Sequence, residues 1–214
     1  MKLSKKELLD INKDFYENFG ESFSSKRFFN WESFDRLKGY IKKTDRVLDI
    51  GSGNGRLSTI VDKNKYLGID FSLTLISIAQ EKYPGYRFIE RDISNNEWYK
   101  GIGDFDKIFA IAFLHHIPTY SLRLKLFKDI KNILSASGLF IFSIWNFDEK
   151  IISSNIGKDD YLLSWNRSPD LRYVHRFDKG EVEQISKDAG FRIIEDFNLE
   201  QNIYFILSPI YDIT

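Results

Sequence analysis

Apolar residues first recur at intervals of three and four, at Leu8, Ile11, Phe15 and Phe19, with Gly20 next in line. That period predicts an amphipathic helix stopped at the glycine. Trp31, Phe34, Leu37 and Ile41 form a second such stripe. The pattern then changes. Arg46-Val47-Leu48-Asp49-Ile50 is a short apolar run meeting a glycine cluster, as a buried strand does, and Leu57, Ile60 and Val61 return to helical spacing. Tyr66 to Asp70 reads as a second strand, Ser72 as the cap of a helix burying Leu75, Ile78 and Ala79, Pro84-Gly85 as a turn, and Tyr86 to Glu90 as a third strand. Phe105 to Phe113 is a fourth strand, followed by a helix striped by Leu122, Leu126 and Ile133 and stopped by Gly138. Leu139 to Trp145 is a fifth strand.

Asp178 and Glu181 have the spacing of a capping box and open a helix that buries Val182, Ile185 and Ala189. Phe191 to Phe197 and Asn202 to Leu207 are the last two strands, the second expected as an antiparallel edge strand returning by a hairpin-like connection. Strand and helix alternate, so the expected fold class is α/β, a mostly parallel sheet with helices on both faces. Between Asn146 and Phe177 no period holds for about 30 residues, and aperiodic stretches of that length are usually functional or disordered. The implied plan is a helical N-terminal cap (1–43), a core (44–145), an insert on the substrate side (146–177) and a C-terminal helix with two strands (178–214).

Composition narrows the chemistry. A chain of 214 residues suits one domain, and 43% hydrophobic with 29% charged residues supports a packed core. Lys and Arg number 31 against 31 Asp and Glu, so net charge lends nucleic-acid binding no support. With no cysteine, disulfides, thiolate zinc sites and any cysteine nucleophile are excluded, and three histidines leave little from which to build a metal site. The opening MKLSKKELLD has no apolar stretch of signal-peptide type, and the run from Gly138 to Trp145 is too short to span a bilayer. A cytoplasmic location with no membrane association is expected.

The glycine cluster lies between the first strand and the next helix: Asp49-Ile50-Gly51-Ser52-Gly53-Asn54-Gly55. Its Gly-x-Gly-x-Gly spacing departs from the dinucleotide fingerprint, whose third glycine packs the helix under a pyrophosphate. Asp49 would repel a phosphate and suits an ammonium group, such as that of a methionine-derived cofactor. Asp70, ending strand two, can accept from ribose hydroxyls. Asp92, after strand three, can accept from an adenine amino group with Ile93 against the ring. Ser52 and Phe71, beside these residues, and His115 are assigned to the same ligand. Singly, each Asp reads as well as a loop residue or cap.

Together with the strand-four run Ala110-Ile111-Ala112-Phe113-Leu114-His115-His116, these residues resemble the class I S-adenosylmethionine-dependent methyltransferases from Thr44 onward. The resemblance implies a Rossmann-like, seven-stranded, mostly parallel sheet with a reversed last strand. It implies that Ala110 and Ile111 line the methionine end of the pocket.

Three further segments resemble the tRNA wobble-uridine carboxymethyl methyltransferases. They are Phe23-Ser24-Ser25-Lys26-Arg27 with Trp31, then His115-His116-Ile117-Pro118-Thr119 through Ile144-Trp145, then Asp160 to Trp165 with Arg172 to Phe177 and Gly180-Glu181. Lys26, Asn30, Pro118 and Ser164 depart from the family pattern. The resemblance implies methyl-ester formation on a carboxymethyl group of the anticodon uridine, assisted in eukaryotic members by a small zinc-binding activator protein. A carboxylate is already anionic at neutral pH and needs no base. Arginine is its natural bidentate clamp, which makes Arg27, Arg172 and Arg176 candidates. His116 is a candidate for orienting the substrate, and Trp31, Trp145, Trp165, Tyr173 and His175 offer flat faces to an unstacked base.

Each has a plainer alternative: Trp31 as core, Trp145 as cover for the sheet, the His pair as a helix cap, His175 as part of a solvated strand. The clusters Lys38, Lys42, Lys43, Arg46 and Arg123, Lys125, Lys128, Lys131 could follow a phosphate backbone or simply be solvated helix faces. Methylation of a small carboxylate or quinone precursor, and a non-catalytic cofactor-binding scaffold, remain alternatives to tRNA modification.

Overall fold

The computed structural model describes residues 3–25, 32–146, 154–164 and 170–211. Helix α1 (Lys5–Ser25) and the short α2 (Glu32–Lys38) precede β1 (Val47–Ile50). There follow β2 (Tyr66–Asp70), α3 (Leu73–Lys82), β3 (Arg87–Glu90), β4 (Phe105–Ala110), α4 (Tyr120–Ile133) and β5 (Leu134–Trp145). The insert carries β6 (Ser154–Asn155), β7 (Asp160–Ser164) and β8 (Leu171–His175), and α5 (Lys179–Asp188), β9 (Phe191–Leu199) and β10 (Asn202–Pro209) complete the order.

Seven strands form one sheet in the order β3-β2-β1-β4-β5-β10-β9, with β10 antiparallel to both neighbours. Alternate residues of each strand serve opposite faces. On one face Phe140, Phe142, Phe205 and Leu207 meet Leu126, Phe127 and Ile130 of α4 and Val182 and Ile185 of α5. On the other, Val47, Phe109, Ile141 and Ile206 meet Leu37 of α2 and Ile76 and Ala79 of α3. Phe127, 1% exposed, packs edge-on against Phe140, Phe142 and Phe191. Truncating such a ring to alanine costs about 3–5 kcal/mol.

Five expectations are corrected. Helix α1 runs through Gly20, because a Cβ there would lie 2.8 Å from Thr74 Cγ2; the missing side chain lets α1 approach α3. After β1 the chain makes a 3-10 turn at Arg56–Ile60, since a second turn capped by Asp62 begins almost at once. Strand β4 stops at Ala110, where the chain swings out and Ala112 takes a φ of 51°. Gly138 lies inside β5, where a Cβ would meet the Asp106 carbonyl at 2.9 Å beside a register shift. Strand β10 is interior, and β9 forms the edge.

The aperiodic insert folds as a second, three-stranded antiparallel sheet, β6-β7-β8. Its strands are too short to display a period, yet Tyr161, Leu163 and Val174 are buried together against Trp145. Strand β8 lies against α1 and the turn that follows β4. The insert thereby closes one side of the carboxyl ends of the sheet.

Candidate active site

The carboxyl ends of β1, β2 and β4 open into a cleft of about 700 Å³, counting the space that reaches solvent. Its floor is the glycine loop. The N–H groups of Gly51 and Ser52 both donate to the Ile69 carbonyl, at 2.9 and 3.0 Å, which pins the loop to the end of β2. Gly51 has a φ of 68°, and a Cβ there would stand 2.2 Å from the Phe113 ring. Gly53, with a φ of 53°, faces open space, so its backbone is bared to the cleft.

Asp49, Gly51, Ser52, Gly53, Asp70, Phe71, Ile111 and His116 all line this cleft. Asp49 is 3% exposed, and Tyr66 donates its hydroxyl to Asp49 Oδ2 at 2.7 Å. Burial pushes the Asp49 carboxyl up to about 7, against the Tyr66 hydrogen bond and the Arg56 guanidinium, with Asp70 adding to the rise. Asp70 accepts from the N–H groups of Gly53 (2.9 Å) and Ser72 (3.0 Å). Burial raises Asp70 to about 6 in spite of these donors. Two carboxylates thus face one concavity in a state sensitive to what enters it.

Asp92 and Ile93 line a neighbouring hollow of about 330 Å³. Phe71, Phe113 and His116 border both spaces. Asp92 is paired with Lys13 of α1 at 2.7 Å and accepts from the Ser94 N–H. Burial opposes its ionisation, but these partners outweigh it and hold the carboxyl below its ordinary value.

Three residues assigned to the cofactor line neither cavity. Gly55 faces Phe88 and Ala79, where a Cβ would meet the Phe88 ring at 2.7 Å; its role here is packing. Ala110 is fully buried within β4. His115 is fully buried against Trp145 and His116, with ring centroids 4.2 and 4.3 Å away.

His116 lies at the cleft wall with both ring nitrogens engaged. Nδ1 is 3.0 Å from the Tyr173 carbonyl and Nε2 is 2.8 Å from the Tyr16 hydroxyl. A carbonyl only accepts, so Nδ1 carries the proton, and in the neutral ring Nε2 accepts from Tyr16. Asn12 binds the same turn, donating Nδ2 to the carbonyls of His116 and Tyr173 and accepting the Tyr173 N–H. In the sequence Asn12 and Tyr16 are marked only by a polar position on, and an aromatic beside, the apolar stripe of α1.

On the substrate side, the expectation that Tyr173 presents its face to a base is corrected: the residue is fully buried and its hydroxyl donates to Asp160 at 2.6 Å. His175 is no solvated strand residue. Its Nδ1 and Nε2 each lie 2.8 Å from a carboxylate, Asp160 and Glu181 respectively. Glu181 also accepts from Arg123 at 2.6 Å. The predicted capping box is therefore half made: Asp178 caps the Glu181 N–H, but Glu181 turns to His175 and Arg123. Arg172 is buried, its guanidinium 4.7 Å from the Trp145 ring centre and 5.6 Å from that of Phe15. Arg176 pairs with Asp159 at 3.0 Å. Arg172, Arg176, Trp145 and His175 line neither cavity. Arg27, Trp31 and Trp165 lie outside the described residues. Of the basic cluster on α4, Arg123 is buried on Glu181 and Lys125 pairs with Asp129, which leaves a weak phosphate track. Among the described residues no helix is long and apolar enough to cross a membrane.

The sequence profile of a methyltransferase domain matches residues 25–196. A protein of Encephalitozoon cuniculi, itself named only as a candidate methyltransferase, is 26% identical over 200 residues, covering 90% of this chain and 92% of that one. The tRNA (carboxymethyluridine(34)-5-O)-methyltransferase of Schizosaccharomyces pombe is 22% identical over 205 residues, covering 84% and 88%. The Arabidopsis thaliana protein of the same name is 26% identical over 135 residues, and this chain spans only about a third of its length (32%). Among solved structures, a SAM-dependent methyltransferase of Methanosarcina mazei superposes with a TM-score of 0.70 at 19% identity, over 83% of this chain and 98% of that one. With the profile covering most of the sequence and the seven-stranded sheet reproduced, the chain belongs to the methyltransferase-domain family, the class I enzymes that use S-adenosylmethionine.

Proposed function

We propose that the protein methylates the carboxylate of a carboxymethyl group on a tRNA wobble uridine, giving a methyl ester. The cofactor half of this reading rests on the convergence of Asp49, Asp70 and the bare Gly53 backbone on one cleft. These residues fit S-adenosylmethionine: a carboxylate for its ammonium, another for its ribose hydroxyls, and no side chain at Gly53 to exclude it. Asp92 and Ile93 in the adjoining hollow suit its adenine. Once bound, the cofactor supplies an electrophilic methyl group on a sulfonium. The chain's own contribution is to hold the acceptor in line and exclude water, since a carboxylate nucleophile needs no proton removed. Ile111 and His116, which line the same cleft, are the residues proposed to face the acceptor, and Arg27 is the arginine proposed as the carboxylate clamp.

The acceptor half rests on the similarity to the S. pombe enzyme, which extends over most of both chains. A second reading, methylation of a small carboxylate, is favoured by the zero net charge and by the internal pairing of the α4 cations. Salt distinguishes them. A tRNA acceptor predicts that binding of the full chain to tRNA weakens about tenfold or more between 50 and 200 mM salt, because phosphate contacts release counterions. Flat, weak tRNA binding together with turnover of small carboxylates would transfer the proposal to the second reading.

A further inference from the structure

Tyr66 begins β2, one strand away from the glycine loop, and neither the fold nor the proposed reaction obviously requires a hydroxyl there. Its phenol is nonetheless closely held. The ring is 4% exposed and meets Phe88 and Tyr86 edge-on, with centroids 5.4 and 5.6 Å away. Gly68 gives it room, for a Cβ at that position would lie 2.9 Å from Tyr66 Oη. The hydroxyl ends 2.7 Å from Asp49 Oδ2. Among the described residues, the Asp49 carboxylate accepts no other hydrogen bond, and Asp49 lines the cleft.

We infer that Tyr66 is a positioning residue for cofactor capture: its fixed hydroxyl holds one oxygen of Asp49 so that the other faces the cofactor's ammonium group. This inference rests on the assignment of Asp49 proposed above. Burial and the neighbouring Asp49 carboxylate keep the Tyr66 hydroxyl protonated far into alkali, so it always donates. Donation favours the ionised carboxylate. Burial within β1 and three groups bear on Asp49: the Tyr66 hydroxyl and Asp70 from β2, and Arg56 from the turn after the loop. Tyr66 and Arg56 favour ionisation, while burial and Asp70 oppose it. The balance leaves Asp49 titrating at about 7 before a ligand arrives. An incoming ammonium tips it to the ionised state, so a proton leaves Asp49 for solvent as the cofactor binds. Capture then strengthens with rising pH, and Tyr66 sets where.

The test is binding of S-adenosylhomocysteine, which keeps the ammonium, measured calorimetrically between about pH 5.5 and 7.5 in two buffers of different ionisation enthalpy. The chains are wild type, Tyr66→Phe, Asp49→Asn and one with 3-fluorotyrosine at position 66, a stronger donor of nearly the same shape. The wild type should release a proton on binding, with affinity rising through the range. Tyr66→Phe should bind about tenfold more weakly near neutrality, with its midpoint moved upward, as expected for losing a hydrogen bond to a charged group. Fluorotyrosine should move the midpoint down, in a chain whose packing is unchanged. A Tyr66→Phe profile that overlays wild type, or a fluorotyrosine profile that does not move, overturns the inference and leaves the Asp49 assignment standing. If Asp49→Asn binds as wild type does, with no proton release in either chain, the assignment itself fails.

Discussion

The hydroxyl of Tyr16 lies 2.8 Å from Nε2 of His116, whose other ring nitrogen is given to the Tyr173 carbonyl. The neutral imidazole therefore has no N–H left for a substrate, and any effect it has on an acceptor passes through Tyr16 or through the flat of the ring. Both residues line the cleft, Tyr16 from the N-terminal helix and His116 from the turn after β4. Tyr16→Phe should lower turnover about tenfold through the lost hydrogen bond while cofactor affinity changes little. Single-turnover rates beside equilibrium binding check this; a normal rate would show that the hydroxyl serves only packing.

Asn12 ties α1 to the turn that carries His116 and to strand β8 behind it. Asn12→Ala would leave the buried Tyr173 N–H without its Asn12 Oδ1 acceptor and would remove a donor from two carbonyls. The expected loss is about 2 kcal/mol in denaturant unfolding, with turnover falling as well because His116 loses its backbone anchor. Wild-type stability would mean that water replaces the amide.

Gly51→Ala places a methyl where the Phe113 ring stands, at a φ of 68° that a side chain tolerates poorly. Left-handed strain alone costs about 1–2 kcal/mol, and displacement of the ring adds to it. Thermal unfolding should occur earlier and cofactor binding should be lost. The same substitution at Gly53 meets nothing within 4 Å, so there the strain acts alone and the fold should be little affected.

The Arg123–Glu181–His175–Asp160 chain ties the insert to α4 and α5. Burial opposes ionisation of Glu181, but His175 and Arg123 outweigh it and lower its pKa; Asp160 is lowered against burial by Tyr173 and His175. A lowered folded-state pKa contributes stability above the unfolded value, 4.5 for Glu181, and that contribution is lost as pH falls through the folded value. Glu181→Gln should cost about 2 kcal/mol at neutral pH by stranding buried Arg123, a figure reduced for the partial exposure of Glu181. The gap to wild type should be full at neutral pH and narrow in acid, as pH falls below 4.5 and through the lowered folded-state value. Urea unfolding at both pH values measures it, and a gap independent of pH would contradict the role of charge.

What was legible in the sequence follows from how far each signal is local. The strand ends of the core were readable because a buried parallel strand is an unbroken apolar run, and the loop because three alternate glycines straight after such a run mark a tight turn that leaves backbone bare beside Asp49. Gly55, Gly20 and Gly138 show no local sign of their roles: Gly55 and Gly20 make room for the distant Phe88 and Thr74, and Gly138 for the Asp106 carbonyl as well as nearby Leu134. The insert was opaque because strands of two and five residues show no period. Its polar residues looked like ligands for a substrate, yet Tyr173 and His175 are bound to Asp160 and Glu181, contacts invisible without the fold. Tyr66 and Tyr16 were hidden similarly, each among apolar neighbours with the hydroxyl's partner on another element.

Asp70→Ala removes the acceptor that the Gly53 and Ser72 N–H groups share, and with it the proposed ribose contact. Cofactor affinity should fall about a hundredfold, as for loss of more than one charge-assisted hydrogen bond, while the fold persists by circular dichroism. Unchanged affinity would place the cofactor elsewhere than the end of β2.

The most direct test of the whole account is methyl transfer from labelled S-adenosylmethionine to total tRNA from cells lacking this gene, followed by nucleoside analysis. The account predicts label on a modified uridine, as a methyl ester that mild base removes. Label in a base-stable position, or none on tRNA while the cofactor still binds, would contradict it.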